Sequence, residues 1–88
     1  MTQTKNQPAA TLRSGAIKAV IWRNPGKEDR PPIYSVNFVR SYTDANGNWH
    51  DTTSFSEADS LRIGYLIPKV VATVTDLVTL DKQTLAER

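Results

Sequence analysis

Residues 33 to 55 alternate so regularly that they leave little choice of fold. Tyr34, Val36, Phe38, Arg40 and Tyr42 fall on one side of the first run; Ser35, Asn37, Val39 and Ser41 fall on the other. A period of two is what an extended strand imposes on its side chains. The run breaks at Asp44-Ala45-Asn46-Gly47-Asn48, and alternation resumes from Trp49 to Phe55. There Trp49, Asp51, Thr53 and Phe55 oppose His50, Thr52 and Ser54. Asn-Gly takes up positive φ at low cost, so the segment predicts a hairpin with a short bulged turn.

A lone hairpin is marginal in water and needs further strands or a helix to pack on. Leu12 to Arg23 reads as another strand, opened by Ser14-Gly15, with Ile17, Ala19 and Ile21 opposite Lys18, Val20 and Trp22. Asn24 to Pro32, with its Asn-Pro-Gly and Arg-Pro-Pro, reads as a loop. Past the hairpin, Ser56 is placed to cap a helix whose first turn carries Glu57 and Asp59. Ile63, Leu66, Ile67, Val70, Val74, Leu77 and Val78 then recur at helical spacing. The ring of Pro68 meets the carbonyl of Gly64, which is small enough to absorb a bend, so one kinked helix is expected. The β-branched content of Val70 to Thr79 keeps a strand there as the alternative. The fold class predicted is α+β: a curved antiparallel sheet of three to four strands followed by a C-terminal kinked helix. The domain spans 12–80, between a disordered tail over 1–11 and a flexible tail over 81–88.

Of 88 residues, roughly 70 remain for a core, and a core of that size rarely supplies more than about 3–5 kcal/mol. The chain has no cysteine, and His50 is its one histidine. Disulfides, thiolate metal sites and a His-rich metal site are thereby excluded. Association with a second copy is the remaining remedy, so a homodimer is expected. No segment reads as a signal peptide. The apolar stretch from Ile63 to Val74 is interrupted by Gly64, Pro68 and Lys69 and reads as too short to span a bilayer. A soluble, cytoplasmic protein follows as the expectation.

No catalytic constellation can be assembled. His50 has Asp51 as its only nearby orienting carboxylate, and neighbours on a strand point to opposite faces. The four glycines, Gly15, Gly26, Gly47 and Gly64, lie too far apart for a phosphate-cradling loop. Asp44, Asn46 and Asn48 have the spacing that opens a calcium loop, but the bidentate glutamate is missing at its place, and a turn is the preferred reading. The expectation is a protein that is not an enzyme and needs no cofactor or metal.

Charge is unevenly spread along the chain. Up to Arg40 there are seven cationic side chains against two carboxylates; from Ser41 onward there are four against seven. Such a split can present one basic face to a polyanion, or can be scattered solvated charge. Along the strands, basic and aromatic residues interleave: Lys18, Trp22, Arg23, Arg40, Tyr42 and Trp49. Cations that follow phosphates and flat side chains that stack on splayed bases are how single-stranded nucleic acid is held. The rival reading fills the core with the aromatics. Tyr34, Val36 and Phe38 are the better candidates for that, and Trp22 and Trp49 divide evenly between core and surface.

The string Val36-Asn37-Phe38-Val39-Arg40-Ser41-Tyr42-Thr43-Asp44-Ala45-Asn46-Gly47 resembles the positive cofactor four family of single-stranded-DNA-binding coactivators, relatives of the plant Whirly proteins. In that family an alternating strand runs into Arg-x-Tyr, an Asp-x-x-Gly turn, a polar return strand and a capped C-terminal helix. The likeness covers Ile33 to Val78, and Ala16 to Trp22 fits the family's preceding strand. It implies that Arg40 and Tyr42 or Trp49 contact nucleic acid, with Lys18 the nearest counterpart of the family's early-strand lysines. It also implies a homodimer through the C-terminal helix with the sheets turned outward. The return strand departs from the family in carrying Asp51, and the helix departs in carrying Pro68.

The expected function is a non-enzymatic module that binds single-stranded DNA or RNA, in the manner of a transcriptional regulator or coactivator. The expected interface is Lys18, Trp22, Arg23, Arg40, Tyr42 and Trp49. The alternative is a protein–protein interaction adaptor on the same scaffold.

Overall fold

This computed structural model describes residues 7–86, with side chains through residue 84. Most of the expected N-terminal tail and the last two residues lie outside that range.

The elements are β1 (Ala10–Ser14), β2 (Ile17–Asn24), β3 (Ile33–Thr43), β4 (Trp49–Thr52) and α1 (Glu57–Ala86). The strands form one antiparallel sheet in the order β1-β2-β3-β4, a plain meander, and the helix follows it. The architecture is the expected α+β.

Four boundaries differ from the sequence reading: β1 begins at Ala10, inside the expected N-terminal tail, and α1 runs to Ala86, through most of the expected C-terminal tail, and two strands change their limits. The run from Leu12 to Arg23 is two strands, because Gly15 turns the chain. Ser14 pairs with Ile17, so Gly15 and Ala16 form a two-residue loop with Gly15 at φ 61°. A glycine with positive φ at the first loop position suits a tight hairpin whose twist matches its strands. A Cβ there would lie 2.9 Å from Arg62 Nε, which closes over the turn. The return strand also ends early, at Thr52, and residues 53–56 lead across to the helix.

The second hairpin is tied by Asp44. Its carboxylate Oδ1 accepts the backbone N–H groups of Asn46 and Asn48 at 2.9 and 3.0 Å. Oδ2 sits 2.7 Å from His50 Nε2. Gly47 donates to the Asp44 carbonyl at 3.0 Å from φ 82°. These bonds spend both carboxylate oxygens on the turn itself.

The helix begins as the sequence indicates. Ser56 Oγ accepts the Asp59 N–H at 3.2 Å, and Asp59 Oδ2 accepts the Ser56 N–H at 2.9 Å. This is a reciprocal capping box with aspartate in the third helical position. The helix continues through Pro68 as one element to Ala86, so the strand alternative for Val70 to Thr79 is set aside.

Ile17, Ala19 and Ile21 of β2 pack against Leu66 and Val70 of α1. Ile17, Ile21 and Leu66 are fully buried, a burial worth about 1.5–3 kcal/mol each. Leu12, Val36, Phe38, Phe55, Ile63, Val74 and Leu77 close around them, each partly exposed. The helix lies chiefly over β1 and β2. One face of the sheet is thus covered by α1, and the other is open.

The helix is also apolar away from the core. An 18-residue window within Glu57–Thr84 has a mean hydropathy of 1.5, and 11% of it is buried. By length and composition this helix could cross a membrane, contrary to the expectation from the interrupted stretch. Leu61, Tyr65, Ile67 and Val71 are all exposed.

Candidate nucleic-acid interface

Strand parity decides which side chains reach the open face. On β2, Ile17, Ala19 and Ile21 point to the helix, so Lys18, Val20 and Trp22 point away. The register carries this across the sheet: Lys18 opposes Arg13 on β1 and Val39 on β3, and Ser41 opposes Asp51 on β4. Arg13, Lys18, Trp22, Val39, Asp51 and Trp49 therefore share one surface.

Three hollows open on that surface, and two of them share Arg13. The larger, about 470 Å³, is bounded by Arg13 and Lys18 on one side, Val20 and Val39 along its floor, and Trp22 at its end. The smaller, about 320 Å³, lies between Arg13, Ser41, Trp49 and Asp51. Arg13 and Asp51 line both, so the hollows join into a track with a tryptophan at either end. Trp49 is 74% exposed, whereas Trp22 is half-buried. The two tryptophans that the sequence divided between core and surface both belong to the open face.

The six residues singled out from the sequence split three and three. Lys18, Trp22 and Trp49 lie on the open face. Arg23, Arg40 and Tyr42 lie on the helix side of the sheet. Arg23 reaches Asp81 of α1, with Nη2 3.2 Å from Oδ1. The Tyr34 hydroxyl donates to the other oxygen of Asp81 at 2.5 Å. That hydroxyl, and the Arg23 guanidinium with it, hold Asp81 below the usual carboxylate range. Burial, followed by the bond to Asp81, raises the Tyr34 phenol. Arg40 lies 3.3 Å from Asp59 Oδ2 and also faces the Ser54 carbonyl. Its guanidinium carbon is 5.4 Å from the Tyr42 ring centre. Tyr42 in turn stacks on His50, with centroids 5.3 Å apart.

These contacts give the uneven charge of the chain an internal meaning. Cations of the first half meet carboxylates of the second: Lys18 with Asp51, Arg23 with Asp81, Arg40 with Asp59. The loosest is Lys18 to Asp51, at 3.8 Å on the open face. Among the described residues, no carboxylate pairs with Arg13.

Arg13 is an open-face residue that the sequence reading missed. Counted along one strand from Leu12 to Arg23, it falls on the core side with Ile17. The turn at Gly15 resets the parity and puts it opposite Lys18. The Ser14-Gly15 dipeptide was the available signal.

No group of three or more His, Cys, Asp or Glu among the described residues could hold a metal ion. No family model, curated protein or solved structure matches the chain.

Proposed function

We propose that this protein is a non-enzymatic module that binds single-stranded DNA or RNA along the open face of its sheet. The observation that carries this reading is the track that joins Trp22 to Trp49 past Arg13 and Lys18. Arg13 and Lys18 follow the phosphates, and the two indoles stack on bases, each stack worth about 1–3 kcal/mol whatever the base. An open sheet face admits a flexible single strand whose bases can be splayed, and a stiff duplex presents no free base faces to it. Arg23, Arg40 and Tyr42 leave the interface and serve the fold. The resemblance to the positive cofactor four family supports the same ligand class and the role of a cytoplasmic transcriptional regulator or coactivator.

The outward side of α1 supports a homodimer through that helix. Leu61, Tyr65 and Val71 are exposed there, with the Lys69 ammonium 4.9 Å over the Tyr65 ring. The same observation favours a second reading, an adaptor whose helix recruits another protein.

The test is anisotropy of a labelled oligothymidine of about 20 nucleotides, titrated at low and physiological salt. Binding that weakens with salt at about −0.7 per phosphate contact, and that duplex competes poorly, supports the reading. No binding at low salt defeats it and leaves the adaptor.

A further inference from the structure

The free edge of β3 is built to pair with itself. β4 pairs only with Arg40–Thr43, so Ile33–Val39 has β2 on one side and no strand on the other. The direction of the backbone groups follows from two bonds. Ser41 donates toward β2, to the Ala16 carbonyl, and Asp44 donates toward the β4 side, to the Asn48 carbonyl. Even-numbered residues of β3 therefore aim N–H and C=O at the β4 side. Tyr34, Val36 and Phe38 offer three donors and three acceptors along that edge.

Exposed edges are normally guarded by a charge, a proline or a bulge. Ile33–Val39 contains none of these, and Ile33 is 70% exposed. β1, β2 and β4 each carry a charged residue (Arg13; Lys18 and Arg23; Asp51), and the one charge of β3, Arg40, lies beyond this stretch.

We infer that this edge takes a second copy of the chain, as an antiparallel β3–β3 pair with Val36 on the twofold axis. The register matches like with like. Val36 meets Val36 of its partner, Tyr34 meets Phe38, Ser35 meets Asn37, and Ile33 meets Val39. Tyr34, Val36 and Phe38 are then the hydrogen-bonded pairs that antiparallel geometry requires, and six backbone bonds form. On the helix side the seam carries two aromatic pairs and a valine pair, the kinds that stabilise neighbouring strands. Because the stretch is uncharged, the twofold axis sets no charge against its like. The two four-stranded sheets become one of eight strands, with both open faces on the same side. The seam uses no residue of α1, so it stands or falls apart from a helix-mediated dimer.

Cross-linking reads the register. Ser35 and Asn37 are exposed and form a non-hydrogen-bonded pair across the axis, with Cα atoms about 4.5 Å apart, within disulfide range. The chain has no cysteine of its own. Under mild oxidation, S35C/N37C is expected to convert from monomer to disulfide-linked dimer on a denaturing gel, while S35C and N37C alone stay monomeric. In the unaltered protein the amides of Tyr34, Val36 and Phe38 are expected to resist hydrogen exchange at high concentration and to lose that protection on dilution. Equal cross-linking by the single variants, or free exchange of those three amides at high concentration, overturns the inference. A helix-mediated dimer seen by sedimentation with those amides still unprotected overturns it too.

Discussion

Arg40 Nε lies 3.3 Å from Asp59 Oδ2, and this contact joins the middle of the sheet to the first turn of the helix. The same carboxylate caps that turn by accepting the Ser56 N–H. A residue with the appearance of a phosphate ligand in the sequence is thus part of the joint between the two layers. Arg40→Ala is expected to lower Tm by several degrees and to leave oligonucleotide affinity nearly unchanged once the protein is folded. A parallel loss from Ser56→Ala, about 0.5–2 kcal/mol for a missing cap, would show in the same melting curves.

Asp51 opposes the proposed ligand. It lies in both hollows of the track and lines up with Lys18, so an incoming phosphate meets a like charge. Asp51→Asn is expected to tighten oligothymidine binding by up to about fivefold, since one unit charge at close range in water is worth about 1 kcal/mol. Isothermal titration at low salt measures it. Unchanged or weaker affinity would place the ligand elsewhere.

Acid sensitivity follows from three carboxylates. Asp44 is held below its usual range chiefly by His50, Asp59 by the backbone N–H of Ser56, and Asp81 by the Tyr34 hydroxyl. Depressed folded-state values mean that their stabilisation is complete above the unfolded value near ~4 and is lost as pH falls below it. Tm is therefore expected to be level from neutral pH down to about 5 and to drop below about 4. Asp59→Asn should melt lower at neutral pH and show a shallower acid decline. Tyr34 has the opposite sign. Its raised phenol contributes below about pH 10 and loses that contribution above it.

Removing either cation of the track should change the salt dependence more than the fold. Arg13→Ala and Lys18→Ala are each expected to reduce the slope of log affinity against log salt by about 0.7. Trp49→Ala is expected to weaken binding about fivefold or more without shifting Tm, because a stack is worth at least about 1 kcal/mol.

Charge on the outward side of the helix tests the dimer of the proposed function. Leu61→Glu with Val71→Glu alters two exposed positions. Sedimentation should show the helix-mediated association lost and only the β3-paired dimer remaining, with Tm at high dilution unchanged.

The sheet-and-helix layout was readable because alternation, the Asn-Gly turn and the Ser56 cap are local signals. The helix was readable through Pro68 because Leu66, Val70, Val74 and Leu77 hold one face on either side of it. The interface was half readable. Parity already placed Arg40 and Tyr42 on the side of Val36 and Phe38, the preferred core residues, but Arg-x-Tyr looks like a ligand site in isolation. Their partners, Asp59 and His50, come from later elements whose placement no local pattern specifies. Arg13 was hidden by a single glycine. The pairing of early cations with late carboxylates is likewise a property of the folded chain, since Arg23 and Asp81 are 58 residues apart.

The chain has two tryptophans, both on the open face, so their two indole N–H resonances report directly on the proposed track. Titration of the labelled protein with oligothymidine should shift both indole signals along with the amides of Arg13, Lys18 and Val39, while Leu61 and Tyr65 on the helix stay still. Still indoles, or shifts confined to the helix, would contradict binding on the open face.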